Sequence, residues 1–263
     1  MGNYERVLTK YNWAKEHVDN LEAAIDRLRE EHPDAFRRKR DDQTGEIVYY
    51  VASVPEIPDE IRLKLGDAVH NLRSTLDHLV CALVSAADPS NDCGYTSFPI
   101  FDTPEAYQTT VRSKVPSLRE PLYEVFDRIQ PYKDGSGHNL WKLHKLDIFD
   151  KHRLLLSVAT VPIASSQTPC DESLLGPTQA TVGTMEAYFV KMLFARSQFR
   201  GIPMQAGYEL GRFPPTQQYE NVGFAFDVAI NEPEIVEGLP IFLFLRTVAS
   251  EVLTIVNNFA MFL

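Results

Sequence analysis

Residues 68–80, AVHNLRSTLDHLV, place His70, Asn71, Arg73, Ser74, Asp77 and His78 inside a stretch whose other positions repeat apolar residues at helical spacing. An imidazole titrates near neutrality and can take a proton from a hydroxyl. A guanidinium is a permanent planar cation whose donors match two phosphate oxygens. Together they make an arginine and histidine pair that could act on RNA, one candidate chemistry being attack of a 2′-hydroxyl on its neighbouring phosphate. His78 would be the base and Arg73 would stabilise the crowded phosphorane. His70, Asn71, Ser74 and Asp77 would support and orient the pair.

At about 100° per residue these polar groups form one continuous arc of a helix, opposite a seam of Ile61, Leu65, Leu72, Leu76, Leu79 and Leu83. The seam is expected to take the first helix, leaving the arc to a cleft, a partner subunit or solvent. Arg73 and His78 lie about 140° apart on that wheel, so two-fold pairing of the helix in a homodimer is the expected way to bring them together. The same residues also permit a purely structural reading. Arg73 and Asp77 are spaced i,i+4 for an ion pair, and His70 can hydrogen-bond Asp77 across two turns.

A second cluster, LHKLDIFDKHRLLL, sets His144, Asp147 and Lys151 on one helix face, with Asp150, His152 and Arg153 at its end. Lys151, His152 and Arg153 are candidates for binding phosphate beside the first cluster, although cations at a helix C-terminus also answer the helix dipole. His144, Asp147 and His152 have ligand chemistry for a transition metal, but HExxH or comparable spacing is lacking. No metal or other cofactor is expected. Phosphate loops, GxGxxG turns and nucleophile elbows are likewise missing from the sequence.

The elements that must hold these groups are legible as period changes. Val7, Tyr11, Ala14, Val18, Leu21, Ile25 and Leu28 predict a helix over about 4–31, and Pro33 ends it. RRKRDDQTGEIVYYVAS predicts a hairpin turning at Gln43-Thr44-Gly45, its basic arm read as solvated or touching nucleic acid. A second long helix opens at Pro58-Asp59 and runs to about Ala87. Shorter helices are expected near 104–113 and 118–129, and another through LWKLHKLDIFDKHR. From Arg153, LLLSVATVPI, TQATVGT and QYENVGFAFDVAI change to strand character, before a C-terminal helix. The expected fold is therefore α+β: an N-terminal antiparallel helical bundle over 1–153 with an inserted hairpin, and a strand-rich part over 154–263 packed on it as one continuous unit.

Composition bounds the function. The chain of 263 residues is 44% hydrophobic with a formal charge of −10, which disfavours a broadly cationic nucleic-acid surface and leaves room for a local basic site. Cys81, Cys93 and Cys170 fit neither a disulfide framework nor a zinc site and are read as free thiols in a cytoplasmic protein. The N-terminus lacks a signal-peptide pattern, and the longest apolar stretch, LPIFLFLRTVASEVLTIVNNFAMFL, is broken by Arg246 and Glu251. No membrane association is expected, and the stretch reads as a strand or turn leading into a core helix.

The spacing of Arg73 and His78, arginine, four residues, histidine, on a long helix of a bundle resembles the motif of HEPN domains. The resemblance covers that helix and, loosely, the helical first half. It implies a metal-independent endoribonuclease of toxin or phage-defence type, active as a homodimer on RNA and paired with an antitoxin or other protein. The alternative is a non-catalytic interaction or ligand-binding module using the same polar face. AVHNLRSTLDHLV, FPIF, IQPYKDG and LWKLHKLDIFDKHRLLL also resemble a bacterial family without an assigned activity, over roughly residues 60–160, which implies a bacterial or phage origin.

Overall fold

Apolar residues at alternating steps of four and three fold the N-terminus into α1 (Asn3–Glu31), which buries Val7, Tyr11, Ala14, Val18, Leu21, Ala24, Ile25 and Leu28. Its partner is α2 (Asp59–Ala87), where Asp59 and Glu60 occupy the first turn and favour the positive end of the helix dipole. The α1–α2 pairing is the most extensive packing among the described elements. Leu65, Leu72, Leu76 and Leu79 are fully buried, each contributing about 1.5–3 kcal/mol by leaving water. This computed structural model describes residues 2–91, 93–152, 155–164, 203–215 and 224–263.

Between α1 and α2 the chain forms β1 (Phe36–Arg40) and β2 (Ile47–Val51), paired antiparallel with Arg38 opposite Tyr49. After α2 come α3 (Pro104–Lys114), capped by the Thr103 hydroxyl on the Ala106 amide, then α4 (Glu120–Ile129) and α5 (His138–His152). The second half supplies β3 (Val158–Ala164), β4 (Glu209–Phe213), β5 (Phe224–Glu232) and β6 (Val236–Pro240), followed by α6 (Ile241–Phe259). The architecture is α+β: a helical N-terminal part, two small antiparallel sheets and a closing helix.

The sheets do not respect the sequence halves. Strand β4 crosses back to extend the N-terminal hairpin into a sheet of order β1-β2-β4, while β3-β5-β6 forms the other. Helix α6 packs against α1, α2 and α5; a main core includes residues from Val7 to Phe259, and a small second cluster of Ile47, Tyr49 and Phe213 lies on β2 and β4. The Ile241–Phe262 stretch is long and apolar enough to cross a membrane, but half of it is buried inside this fold. The expected strand or turn before it is β6. TQATVGT and the start of QYENVGFAFDVAI lie outside the described residues.

Candidate functional site

Helix α5 covers the part of the α2 polar arc that carries His70 and Arg73. Gly66 makes the close approach possible: a Cβ there would sit 2.5 Å from Oδ1 of Asp150 on α5. One turn later the two helices exchange side chains. Asp147, 4% exposed, lies 3.0 Å from Nδ1 of His70 through one oxygen and accepts from Lys151 Nζ at 2.7 Å through the other. His70 therefore pairs with Asp147 on α5, not with Asp77 as its helical spacing suggests. Lys151 is held in the same contact instead of projecting toward a phosphate.

Arg73 is 5% exposed, and its guanidinium is engaged on three sides. Nη1 donates to Asp77 Oδ1 at 2.6 Å, Nη2 to the Phe98 carbonyl at 3.2 Å, and Nε to His144 Nδ1 at 3.3 Å. Asp77 also accepts the Phe98 amide at 2.8 Å. The strap after α2 is thus clipped through both backbone groups of Phe98, whose ring packs on Phe126. At its far end Asp102 accepts from Trp141 and Lys145 of α5, both at 2.7 Å. The Lys145 bond is the main cause holding that carboxyl below its ordinary range.

His144 can accept from Arg73 only as a neutral imidazole. Burial, reinforced by the Arg73 charge, lowers its pKa from 6.5 to about 4, so the neutral form persists far below physiological pH. Asp150, six residues further along α5, moves the other way: burial and the neighbouring Asp147 and Asp67 raise its pKa.

His78 stands apart from all of this. It is exposed and lines a groove of 430 Å³ with Arg6, Asp77, Cys81, Cys93 and Thr96. Partial burial and, after it, the nearby Lys10 lower its pKa. Asn71 faces α1, accepting from Lys10 Nζ at 2.7 Å and donating to the Asp67 carbonyl at 2.8 Å. Ser74 is half-buried. Within one chain, then, Arg73 and His78 do not converge: one is locked between α2, α5 and the strap, the other opens to a groove beside α1.

His152 is exposed at a separate groove of 710 Å³ that also contains Lys133, Lys145, Trp141, Ile148 and Glu234. Arg153 lies outside the described residues. Among the described residues no three of His, Cys, Asp and Glu are grouped to hold a metal, and His144 directs its Nδ1 at a guanidinium, which no cation would replace without displacing Arg73.

Sequence reasoning missed three participants. The Phe98 backbone carries no side-chain signature, Lys10 comes from another helix, and the Cys81–Cys93 approach joins a helix to a loop. In that approach Cys93 Sγ lies 3.3 Å from the Cys81 carbonyl and 3.1 Å from Ser85 Oγ. Burial is the main cause pushing the Cys81 thiol up to about 11, with the Cys93 thiol beside it adding to the effect. Comparison with protein-family models, curated proteins and solved structures finds no match for the chain.

Proposed function

We propose that the protein is a non-catalytic binding module in which the polar arc of α2 fastens α5 and the Phe98 strap, leaving the His78 groove as the face offered to a ligand or partner. One observation carries this reading. Arg73 is almost fully buried with all three guanidinium nitrogens already donating, so it presents no free edge to a phosphate. To bind one it would have to abandon Asp77 and His144, two half-buried partners, and the Phe98 carbonyl, at a net cost of about 1 kcal/mol for each hydrogen bond broken.

A HEPN-type ribonuclease is the second reading, and the state of His78 favours it. An exposed imidazole with a lowered pKa is neutral at pH 7 and available as a base. That reading needs a cation from elsewhere, such as Arg6 in the same groove or a second copy of the chain. Helix α2 is flanked by α1, α5 and α6, so a homodimer formed through it would have to use the strip bearing Leu63, Asp67, His70 and His78.

Incubating the protein with a labelled RNA oligonucleotide and excess chelator separates the two. The binding-module reading expects intact RNA. Cleavage giving 2′,3′-cyclic phosphate ends that disappears in His78→Ala would replace it with the ribonuclease.

A further inference from the structure

Strand β1 concentrates four cations, Arg37, Arg38, Lys39 and Arg40, all exposed, in a chain whose formal charge is −10. Among the described residues little compensates them. Arg37 reaches Asp34 only at 3.8 Å between two well-exposed side chains, Arg40 donates to the Gly45 carbonyl, and Lys39 lies over the Tyr50 ring. Arg38 has no ion pair among the described residues. At the other end of the same sheet the single cation of β4, Arg212, is saturated by Asp41, Glu46 and Glu209. The excess is specific to β1.

β1 is also an end strand: it pairs with β2 on one side, and no described strand pairs with the other. Its register fixes where the charges point. Residues directly opposite share a face, so Arg38 and Arg40 lie with Tyr49 and Ile47, and Arg37 and Lys39 with Tyr50 and Val48. Each face of the edge thus carries two cations about 6.6 Å apart, the repeat of alternate residues in any strand. A short cleft of 260 Å³ lined by Arg38, Lys39, Arg40, Ile47 and Pro215 lies beside them.

We infer that the open edge of β1 is a docking site for an extended acidic segment of another protein, added to the sheet as a further strand. Such a segment supplies alternating N–H and C=O groups to the unpaired edge and sets carboxylates at the same repeat as the cations. Positive charge blunts pairing of β1 with another copy of itself, the usual purpose of charge on an edge, and so selects for the opposite sign. The acidic remainder of the molecule does not oppose this, because screening at physiological salt acts over about 8 Å. A nucleic acid would use the charges but not the hydrogen-bonding edge. The inference does not depend on the role of α2.

The test is fluorescence anisotropy of the full-length protein with a fluorescein-labelled octapeptide of alternating Glu and Val. A second probe is the same peptide N-methylated at every other residue, which keeps the charge and removes edge hydrogen bonds. Binding should weaken at least about tenfold on N-methylation and in the Arg38→Glu/Arg40→Glu variant, and should fall with salt. Equal binding of both peptides to the wild-type protein would overturn the inference. So would a single-stranded oligonucleotide that binds more tightly than the peptide and loses that binding in the variant.

Discussion

Acidification should loosen the α2–α5 seam through one residue, His144. Its Nδ1 accepts from Arg73, so a proton there sets an imidazolium against a guanidinium. Because the folded pKa is depressed below the unfolded value, the stabilisation is fully present above about 6.5 and is lost as pH falls toward about 4. That drop, at about 1.4 kcal/mol for each tenfold change in proton affinity, corresponds to about 3 kcal/mol, of which about 2 should be gone near pH 4.5. Asp150, Asp227 and Glu251 have raised pKa values from burial and contribute in the opposite direction, losing stability as pH rises. A difference measurement cancels them. His144→Gln keeps a carbonyl that can accept from Arg73 and does not titrate, so the gap in unfolding free energy between wild type and variant should shift in favour of His144→Gln by about 2 kcal/mol between pH 7 and pH 4.5. Urea titrations at the two pH values measure it. A gap that stays constant would refute the neutral-acceptor role of His144.

Other sites give sharper local outcomes. Glu251 Oε2 is buried without a partner among the described residues, while Oε1 accepts from Asn139; Glu251→Gln should therefore melt at or above wild type at pH 8, the difference closing below about pH 4.5, as differential scanning calorimetry would show. Cys81, pushed up to about 11, should react with iodoacetamide at pH 7.5 about a hundredfold more slowly than a free thiol and accelerate steadily to higher pH, read by peptide mass spectrometry. Gly66→Ala should cost less than about 1 kcal/mol, because the helix gains what displacing the Asp150 carboxylate loses. Gly66→Leu should cost more than about 2 kcal/mol by forcing α2 from α5, both read from denaturant midpoints.

How far the sequence reached depended on how local each feature is. The 4-and-3 spacing of Val7 through Leu28 predicts a helix over about 4–31, and α1 spans Asn3–Glu31. Pro58-Asp59 likewise marks the start of α2. The hairpin is legible from Gln43-Thr44-Gly45, but the return of β4 to Val48 and Tyr49 is a pairing across more than 150 residues that no local pattern encodes. The helical wheel gathers His70, Asn71, Arg73, Ser74, Asp77 and His78 in one arc opposite the face meant for α1, whereas Asn71 bonds Lys10 of α1 and His78 lines a groove beside it, so only His70, Arg73 and Asp77 act together. It cannot say what roofs them, and the complementary groups, His144 and Asp147, stand out in the sequence only as a separate cluster. Their mutual fit follows from Gly66, whose missing side chain lets α5 come near and whose role is invisible until both helices are in place.

The unfolding free energy of Arg73→Ala tests the structural role of the arc most directly. Removing the guanidinium strands the Phe98 carbonyl and His144 and leaves Asp77 without its cation. Breaking a fully buried pair costs about 3–5 kcal/mol, but the Asp77 side chain is 39% exposed and water can repair part of the loss. A decrease of about 2–4 kcal/mol is therefore expected, with a matching fall in melting temperature. An Arg73→Ala protein that unfolds at the same denaturant concentration as wild type would contradict a structural arginine and return Arg73 to the chemistry its spacing from His78 first suggests.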